Sequence, residues 1–148
     1  MQSNLDNVRK RYNNNGFVVV KNILTDNQVE NAKEDLNRFI RDNSKNFSSR
    51  EINFASGNII NSIHNMDDWS WTKKLQNDKK IKKVAKALIG ENIQNFGAEL
   101  FSKPAKIGLP APIHQDNYYW CVDNAKALTV WIALDDADSK NGGVYYLK

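Results

Sequence analysis

The sequence has few of the residues and runs that mark several classes of protein. Only one of its 148 residues is a cysteine, Cys121, so the chain cannot hold an internal disulfide, and a reducing compartment is expected. No apolar run approaches the ~20 residues that a membrane-spanning helix needs, and the first residues lack the apolar core of a secretion signal. We therefore predict a cytoplasmic protein without a membrane partner.

The composition is that of one globular domain. Hydrophobic residues make up 41% of the chain and charged residues 26%, and no repeat or long linker divides it. We predict a single domain over residues 1–148, long enough to bury a core. The net charge of +4 permits anionic ligands without identifying them.

Helical patterns dominate the N-terminal part. Residues 5–12 carry apolar side chains at helical spacing before the break at Asn15-Gly16. Thr25 and Gln28 have the spacing of a capping box, followed by an apolar stripe. A further helix is predicted from about Asp78 to Leu88, with Gly90 as its end.

Strand patterns dominate the rest. The predicted strands are residues 17–20, 59–66, 93–102, 114–120, 127–134 and 144–147, while residues 43–58 are predicted to form a loop. Helices followed by strands favour an α+β fold, with N-terminal helices packed on an incomplete antiparallel double-stranded β-helix, or jelly roll.

A run of lysines raises the question of nucleic-acid binding. Most of its members lie off the apolar face of the helix predicted near residue 80: Lys79, Lys80, Lys82, Lys83 and Lys86. No aromatic or arginine residues are interleaved with them to stack on bases. We interpret them as a solvated face and predict no nucleic-acid partner.

One tripeptide contains candidate metal ligands. The sequence has two histidines, and His114 is followed two residues later by Asp116. On a strand these two side chains point to the same face, as two ligands of a 2-His-1-carboxylate iron(II) site would. The alternative is a histidine paired structurally with a neighbouring carboxylate.

The residues around this tripeptide resemble the phytanoyl-CoA dioxygenase family. The specific part is His114-Gln115-Asp116-Asn117-Tyr118-Tyr119-Trp120, then the segment 127–137 with Thr129-Val130-Trp131, then Asn141-Gly142-Gly143. Residues 16–20 and 88–93 are similar to the family's N-terminal half. The resemblance therefore covers nearly the whole chain.

The resemblance implies roles for individual residues. His114 and Asp116 would be two of three iron(II) ligands. Trp131, with Thr129 on the same face, would lie beside the cosubstrate 2-oxoglutarate, although Trp131 could instead be a core aromatic. Glu99 would face cosubstrate or substrate, and a surface carboxylate is the alternative.

The aromatic residues Tyr118, Tyr119 and Trp120 would wall the substrate pocket, unless they serve ordinary packing. His64 stands near the segment where some family members place a cosubstrate-binding lysine, and a structural histidine is the other interpretation.

The resemblance also implies a reaction. An iron(II)- and 2-oxoglutarate-dependent oxygenase uses O2 to hydroxylate a small organic substrate, and it releases succinate and CO2. The family's third ligand, a histidine, and its 2-oxoglutarate-binding arginine would lie beyond Lys148, so we expect the 148 residues to be an N-terminal portion. The alternative function is a β-sandwich binding module without a competent site.

Overall fold

The computed structural model describes residues 2–43, 45, 51–108, 110–122 and 127–147. Within these ranges the regular elements follow one another in this order: α1 (Gln2–Asn15), α2 (Asp26–Asn43), β1 (Ile52–Ser56), β2 (Ile59–Ile63), a 3₁₀ helix (Met66–Asp68), α3 (Ser70–Gln76), α4 (Lys79–Ile89), β3 (Leu100–Phe101) and α5 (Asn117–Trp120). The strands form an antiparallel sheet in the order β1-β2-β3. The predicted α+β class is therefore confirmed.

The predicted helix ends are confirmed in atomic detail. Gln28 N donates to Thr25 Oγ1 at 3.3 Å, and Thr25 N donates to Gln28 Oε1 at 2.9 Å, which completes the capping box before α2. Asp78 caps α4 by accepting from the backbone N–H groups of residues 80 and 81. Gly90 ends α4 with φ 113°, a conformation that favours glycine.

The loop predicted over residues 43–58 is wrong in its second half, because β1 lies there. β1 pairs with β2 around a two-residue turn, Gly57-Asn58, and Gly57 has φ 53°. The register shifts twice along this hairpin, so its side chains do not alternate regularly. The loop prediction rested on the Asn-, Ser- and Gly-rich composition of residues 43–58, which is typical of loops but does not exclude a short strand.

The strand predicted over residues 114–120 is also wrong, because its second half is helical. Tyr118 N donates to Gln115 O at 3.0 Å and Tyr119 N to Asp116 O at 2.9 Å, which closes the turn that becomes α5. Asn117 then receives Val122 N on its side-chain oxygen at 3.1 Å and donates to Val122 O at 3.2 Å. These local bonds satisfy backbone groups that a sheet would otherwise need to pair.

The other predicted strands are shorter than expected or lack a partner in the described part of the chain. Residues 93–102 contribute only β3, and residues 59–66 form β2 and then the 3₁₀ helix. Residues 17–20, 127–134 and 144–147 belong to no ladder there, since no neighbouring strand meets their backbone groups. Helix α3 was not predicted.

The core lies between α2 and the sheet. Its buried members are Ile52, Ile63, Met66 and Trp69, and Ile63 is fully buried. Partly buried side chains of α2 and β3 pack around them. Each fully buried aliphatic or aromatic side chain contributes about 1.5–3 kcal/mol to folding.

A single carboxylate joins α2 to this core. Asp35 accepts from the indole Nε1 of Trp69 at 2.8 Å and from Ser70 Oγ at 3.3 Å, and it pairs with Arg38 one turn further along α2. The hydrogen bond from Arg38 lowers the pKa of the Asp35 carboxyl, and the bond from Trp69 acts in the same direction. Asp35 therefore fixes the angle between α2 and the start of α3.

We predict that Asp35→Ala lowers the free energy of unfolding at neutral pH by about 1–3 kcal/mol, because the Trp69 N–H loses its partner. The lowered pKa means that the carboxylate stabilises the fold above its ordinary pKa of 3.8, and that this contribution is lost as the pH falls below that value. Denaturant titrations at several pH values measure both effects.

The control for this change is Glu34→Ala, on an exposed neighbour in the same helix, which should stay within about 0.5 kcal/mol. A loss for Asp35→Ala that is no larger than for Glu34→Ala, or that is unchanged in acid, would contradict the role assigned to Asp35.

Candidate metal centre

His114 and Asp116 lie on the segment that leads into α5, and their side chains meet. Asp116 stands at the start of the helical turn with φ −58° and ψ −34°, while His114 is still outside it. His114 Nε2 and Asp116 Oδ1 are 3.4 Å apart, and each side chain is about 40% exposed (40% and 42%). This separation is longer than a normal N–H···O hydrogen bond, so the two atoms face the same space without a close bond between them.

A backbone carbonyl orients the imidazole. His114 Nδ1 lies 2.7 Å from Pro112 O, and a carbonyl oxygen can only accept. Nδ1 therefore carries the hydrogen, and in the neutral ring the Nε2 lone pair points towards Asp116. Histidines that bind metals commonly hold their second nitrogen in this way.

The carboxylate of Asp116 is held from its other side. The hydroxyl of Thr129 donates to Asp116 Oδ2, which leaves Oδ1 facing His114. The two residues are 13 apart in the sequence, so this bond joins α5 to the 127–134 segment. Thr129 thereby fixes which oxygen of Asp116 is presented to the site.

These two donors fit a metal ion in spacing and chemistry. Nitrogen and oxygen ligands at about 2.1 Å from a metal, set at right angles, are about 3 Å apart. The observed 3.4 Å between Nε2 and Oδ1 is close to that value. Within the described ranges, however, no third His, Cys, Asp or Glu completes a metal-binding group with them. The chain thus provides two neighbouring donors there.

A cavity of about 730 Å³ opens beside the carboxylate. Four of the residues predicted for the site line it together: Asp116, Trp120, Thr129 and Trp131. The opposite wall is apolar and comes from α4, through Ile81, Val84, Ala85 and Leu88. An apolar cavity with one anionic corner is suited to an organic molecule with a polar end.

The remaining predicted site residues have other neighbours. Glu99 Oε1 lies 2.9 Å from Nδ1 of His64, and Ser62 Oγ lies 3.2 Å from the other ring nitrogen of His64. Tyr119 contacts the His114 ring edge-on at 5.8 Å, and Tyr118 packs edge-on against Tyr119 at 5.3 Å. Both tyrosines are exposed, and only Tyr119 contacts the histidine directly. Glu99 belongs to a separate cluster with His64.

Sequence reasoning missed a second aromatic element of the cavity. Tyr146 stacks on Phe17 with ring centroids 4.4 Å apart and planes 8° from parallel, and both rings line the cavity. Burial raises the pKa of the Tyr146 phenol, and the negative charge of Asp116 raises it further. Nothing in the motif pattern marks Tyr146, because its partner is far away in the sequence.

We predict that the pKa of the Tyr146 phenol lies above its ordinary value of 10. Its ionisation is measured as a step in phenolate absorbance, and Tyr146→Phe should remove that step. Asp116→Asn should lower this pKa only in part, because burial is the larger cause. The raised pKa also means that stability falls as the pH rises above 10, since the unfolded chain ionises first. A Tyr146 titration that Asp116→Asn leaves unchanged would contradict the placement of the phenol near this carboxylate.

Comparison with known proteins agrees with the resemblance. The family model described as phytanoyl-CoA dioxygenase (PhyH) matches residues 12–148, so the chain belongs to the phytanoyl-CoA dioxygenase family. It is 25% identical over 147 residues to the peroxisomal phytanoyl-CoA dioxygenase of Mus musculus, and 24% identical over 147 residues to the proteins of the same name in Bos taurus and Homo sapiens.

Each of these alignments covers 90% of this chain and 44% of the relative, so the chain spans less than half the length of the curated proteins that it matches. No solved structure matches the chain significantly. In the described part of the chain, no helix is long and apolar enough to cross a membrane.

Proposed function

We propose that this chain works within an iron(II)- and 2-oxoglutarate-dependent oxygenase, with His114 and Asp116 as two of the protein ligands to iron. The observation that carries the proposal is the pairing of His114 Nε2 with Asp116 Oδ1 at 3.4 Å, with Nδ1 and Oδ2 each held by another partner. A purely structural pair would use its own hydrogen bond to hold the two side chains together. Here each is held separately, and the two donor atoms are left facing each other.

The chemistry follows from the family. Iron(II), with 2-oxoglutarate and O2, supplies the oxidising power that inserts one oxygen atom into a C–H bond of the substrate, while the second oxygen atom enters succinate and CO2 is released. The presence of Asp116 favours hydroxylation, because related halogenases have a small residue at this position. The substrate is a small organic molecule.

The protein's own part is binding and orientation. His114 offers a neutral nitrogen donor, and Asp116 offers a negative charge that offsets that of the metal. The apolar α4 wall of the cavity favours the hydrocarbon part of a substrate. Trp131 and Trp120 line the same cavity, which supports their proposed contacts with cosubstrate and substrate.

Three parts of the proposal rest on family membership. They are the jelly roll as the complete architecture, the cosubstrate role of Glu99, and the substrate contacts of Tyr118 and Tyr119. For Thr129 the bond to Asp116 supports a more specific role, in which its hydroxyl positions the iron-binding carboxylate. The predicted cytoplasmic location stays a prediction, and the relatives' names place those proteins in the peroxisome.

A second candidate is a binding module that has the family sequence without a competent iron site. It is favoured by one observation, that the described residues offer two neighbouring donors and no third. In this case the cavity beside Asp116 would bind its organic ligand without oxidising it. Metal titration separates the two candidates.

We predict that Asp116→Ala weakens iron(II) binding, measured anaerobically, by at least about tenfold, because it removes one donor and a compensating charge. Turnover of 2-oxoglutarate by the complete protein should collapse, while the melting temperature changes little. Asp136→Ala, which removes an exposed carboxylate in the same region, is the matched control and should leave iron affinity unchanged.

The opposite result would contradict the assignment of Asp116 as an iron ligand. If the two side chains form only a structural pair, Asp116→Ala should cost about 1–3 kcal/mol of stability and leave metal binding as in the wild type. One variant with one metal titration and one melting curve therefore distinguishes the two roles.

We predict that Thr129→Val, which keeps the side-chain shape, weakens metal affinity by about tenfold, because Asp116 loses the bond that orients it. Thr129→Ser retains the hydroxyl and should restore affinity to near the wild-type value. If the valine and serine variants bind metal equally well, the hydroxyl has no positioning role. This conclusion does not depend on whether the bound metal is iron.

A further inference from the structure

A second concave surface lies between α1 and α4, on the side of α4 that faces away from the cavity with Asp116. It encloses about 640 Å³. Its lining includes the apolar side chains of Leu5 from α1 and Ala87 from α4, together with Gly90. The two helices pack directly against each other, so the groove has walls from two separate elements.

The groove concentrates positive charge. Its cationic lining residues are Arg9, Lys79, Lys82, Lys83 and Lys86. Two acidic side chains, Asp6 and Glu91, also line it. This leaves a surplus of three positive charges in the groove, compared with a net charge of +4 for the whole chain. Most of the net charge of the chain therefore lies in this groove.

This arrangement brings several like charges close together. Four of the five lysines of α4 line the groove, and they form pairs three or four residues apart, spacings at which like charges destabilise a helix. Lys86 pairs with Glu91 at 3.3 Å, and Lys82 donates to the neutral side chain of Asn77 at 2.8 Å. Arg9 adds a further cation from the opposite wall. A bound anion would relieve the repulsion between both walls at once.

We propose that this groove binds a small, multiply charged phosphate compound. From Lys79 to Lys86 the helix rises by about 10 Å, so its cations are spread along a line that suits linked phosphate groups better than a single carboxylate. Arg9 can bind a phosphate through two parallel N–H bonds from the facing wall. The groove lining contains no aromatic side chain on which a nucleic-acid base could stack, which favours a small anion over a nucleic acid.

The site is independent of the metal centre and of the proposed oxygenase reaction. The apolar face of α4 lines the cavity with Asp116, whereas its basic face lines the groove. The family model matches residues 12–148, so the α1 wall with Leu5, Asp6 and Arg9 lies outside that match. The α4 wall lies inside the match, so the α1 wall is the part of the groove that family membership does not account for.

The test is a calorimetric titration of the metal-free chain with inorganic tripolyphosphate at fixed ionic strength. Binding with a Kd below about 1 mM is expected. The double variant Arg9→Gln with Lys79→Gln removes one exposed cation from each wall and should weaken binding by about tenfold. Citrate, which carries similar charge on carboxylates, should bind more weakly than tripolyphosphate.

The matched control is Lys10→Gln with Lys74→Gln, which removes two exposed cations outside the groove and should change the Kd less than about twofold. Circular dichroism checks that both double variants keep their helices. If the groove double variant loses helix, Lys79→Gln alone is used in its place. The proposal would be overturned by any of three results: no binding of tripolyphosphate, equal weakening by the two double variants, or equal affinity for citrate. A single-stranded oligonucleotide that binds more tightly than tripolyphosphate, and is lost in the groove variant, would overturn it in favour of nucleic acid.

Discussion

The two oxygens of Asp116 face different partners, and the geometry of the candidate centre depends on that division. Oδ2 accepts the hydroxyl of Thr129, which turns Oδ1 towards His114. Pro112 in turn holds the far nitrogen of the histidine. Each donor atom is thus fixed by a bond that does not use the donor atom itself, which is the condition for a pre-organised ligand pair. Without Thr129 the carboxylate could rotate, and either oxygen or neither would face the imidazole.

Helix α4 connects the two regions of chemical interest. Its apolar residues, such as Val84 and Leu88, line the cavity beside the carboxylate, and its lysines line the groove against α1. The 3.6-residue period of a helix places these two sets on opposite faces. One short element, capped by Asp78 and ended by Gly90, therefore sets the position of both surfaces.

The parts that could be predicted from sequence are those whose signals are local. The cap at Thr25 uses residues three positions apart, so its pattern was sufficient. The start of α4 was predicted at about Asp78, but its role as the cap comes from the structure. The turn at Gly57-Asn58 is also a local hairpin signal, and the strand after it was predicted, but the Asn- and Ser-rich residues before it indicated a loop. The His114–Asp116 pair was predicted on a strand and occurs at the start of a helical turn. The two side chains still meet because the histidine lies outside that turn. The Thr129 bond and the place of Tyr146 depend on long-range packing, which no local pattern encodes.

The distribution of buried side chains bears on how a ligand would act at the centre. The buried hydrophobic residues of the described part all lie between Ala32 and Trp69. Around the candidate ligands the apolar side chains are exposed instead, Ile113 by 85% and Tyr118 by 80%. Hydrogen bonds, including the one from Thr129, therefore hold this segment, and a few such bonds stabilise it less than burial stabilises the core. Segments of this kind open at a lower free-energy cost than the core, as binding sites often do. Because the two donor atoms are already held 3.4 Å apart, a ligand that joins His114 to Asp116 would bind the folded form of this segment and stabilise it against opening.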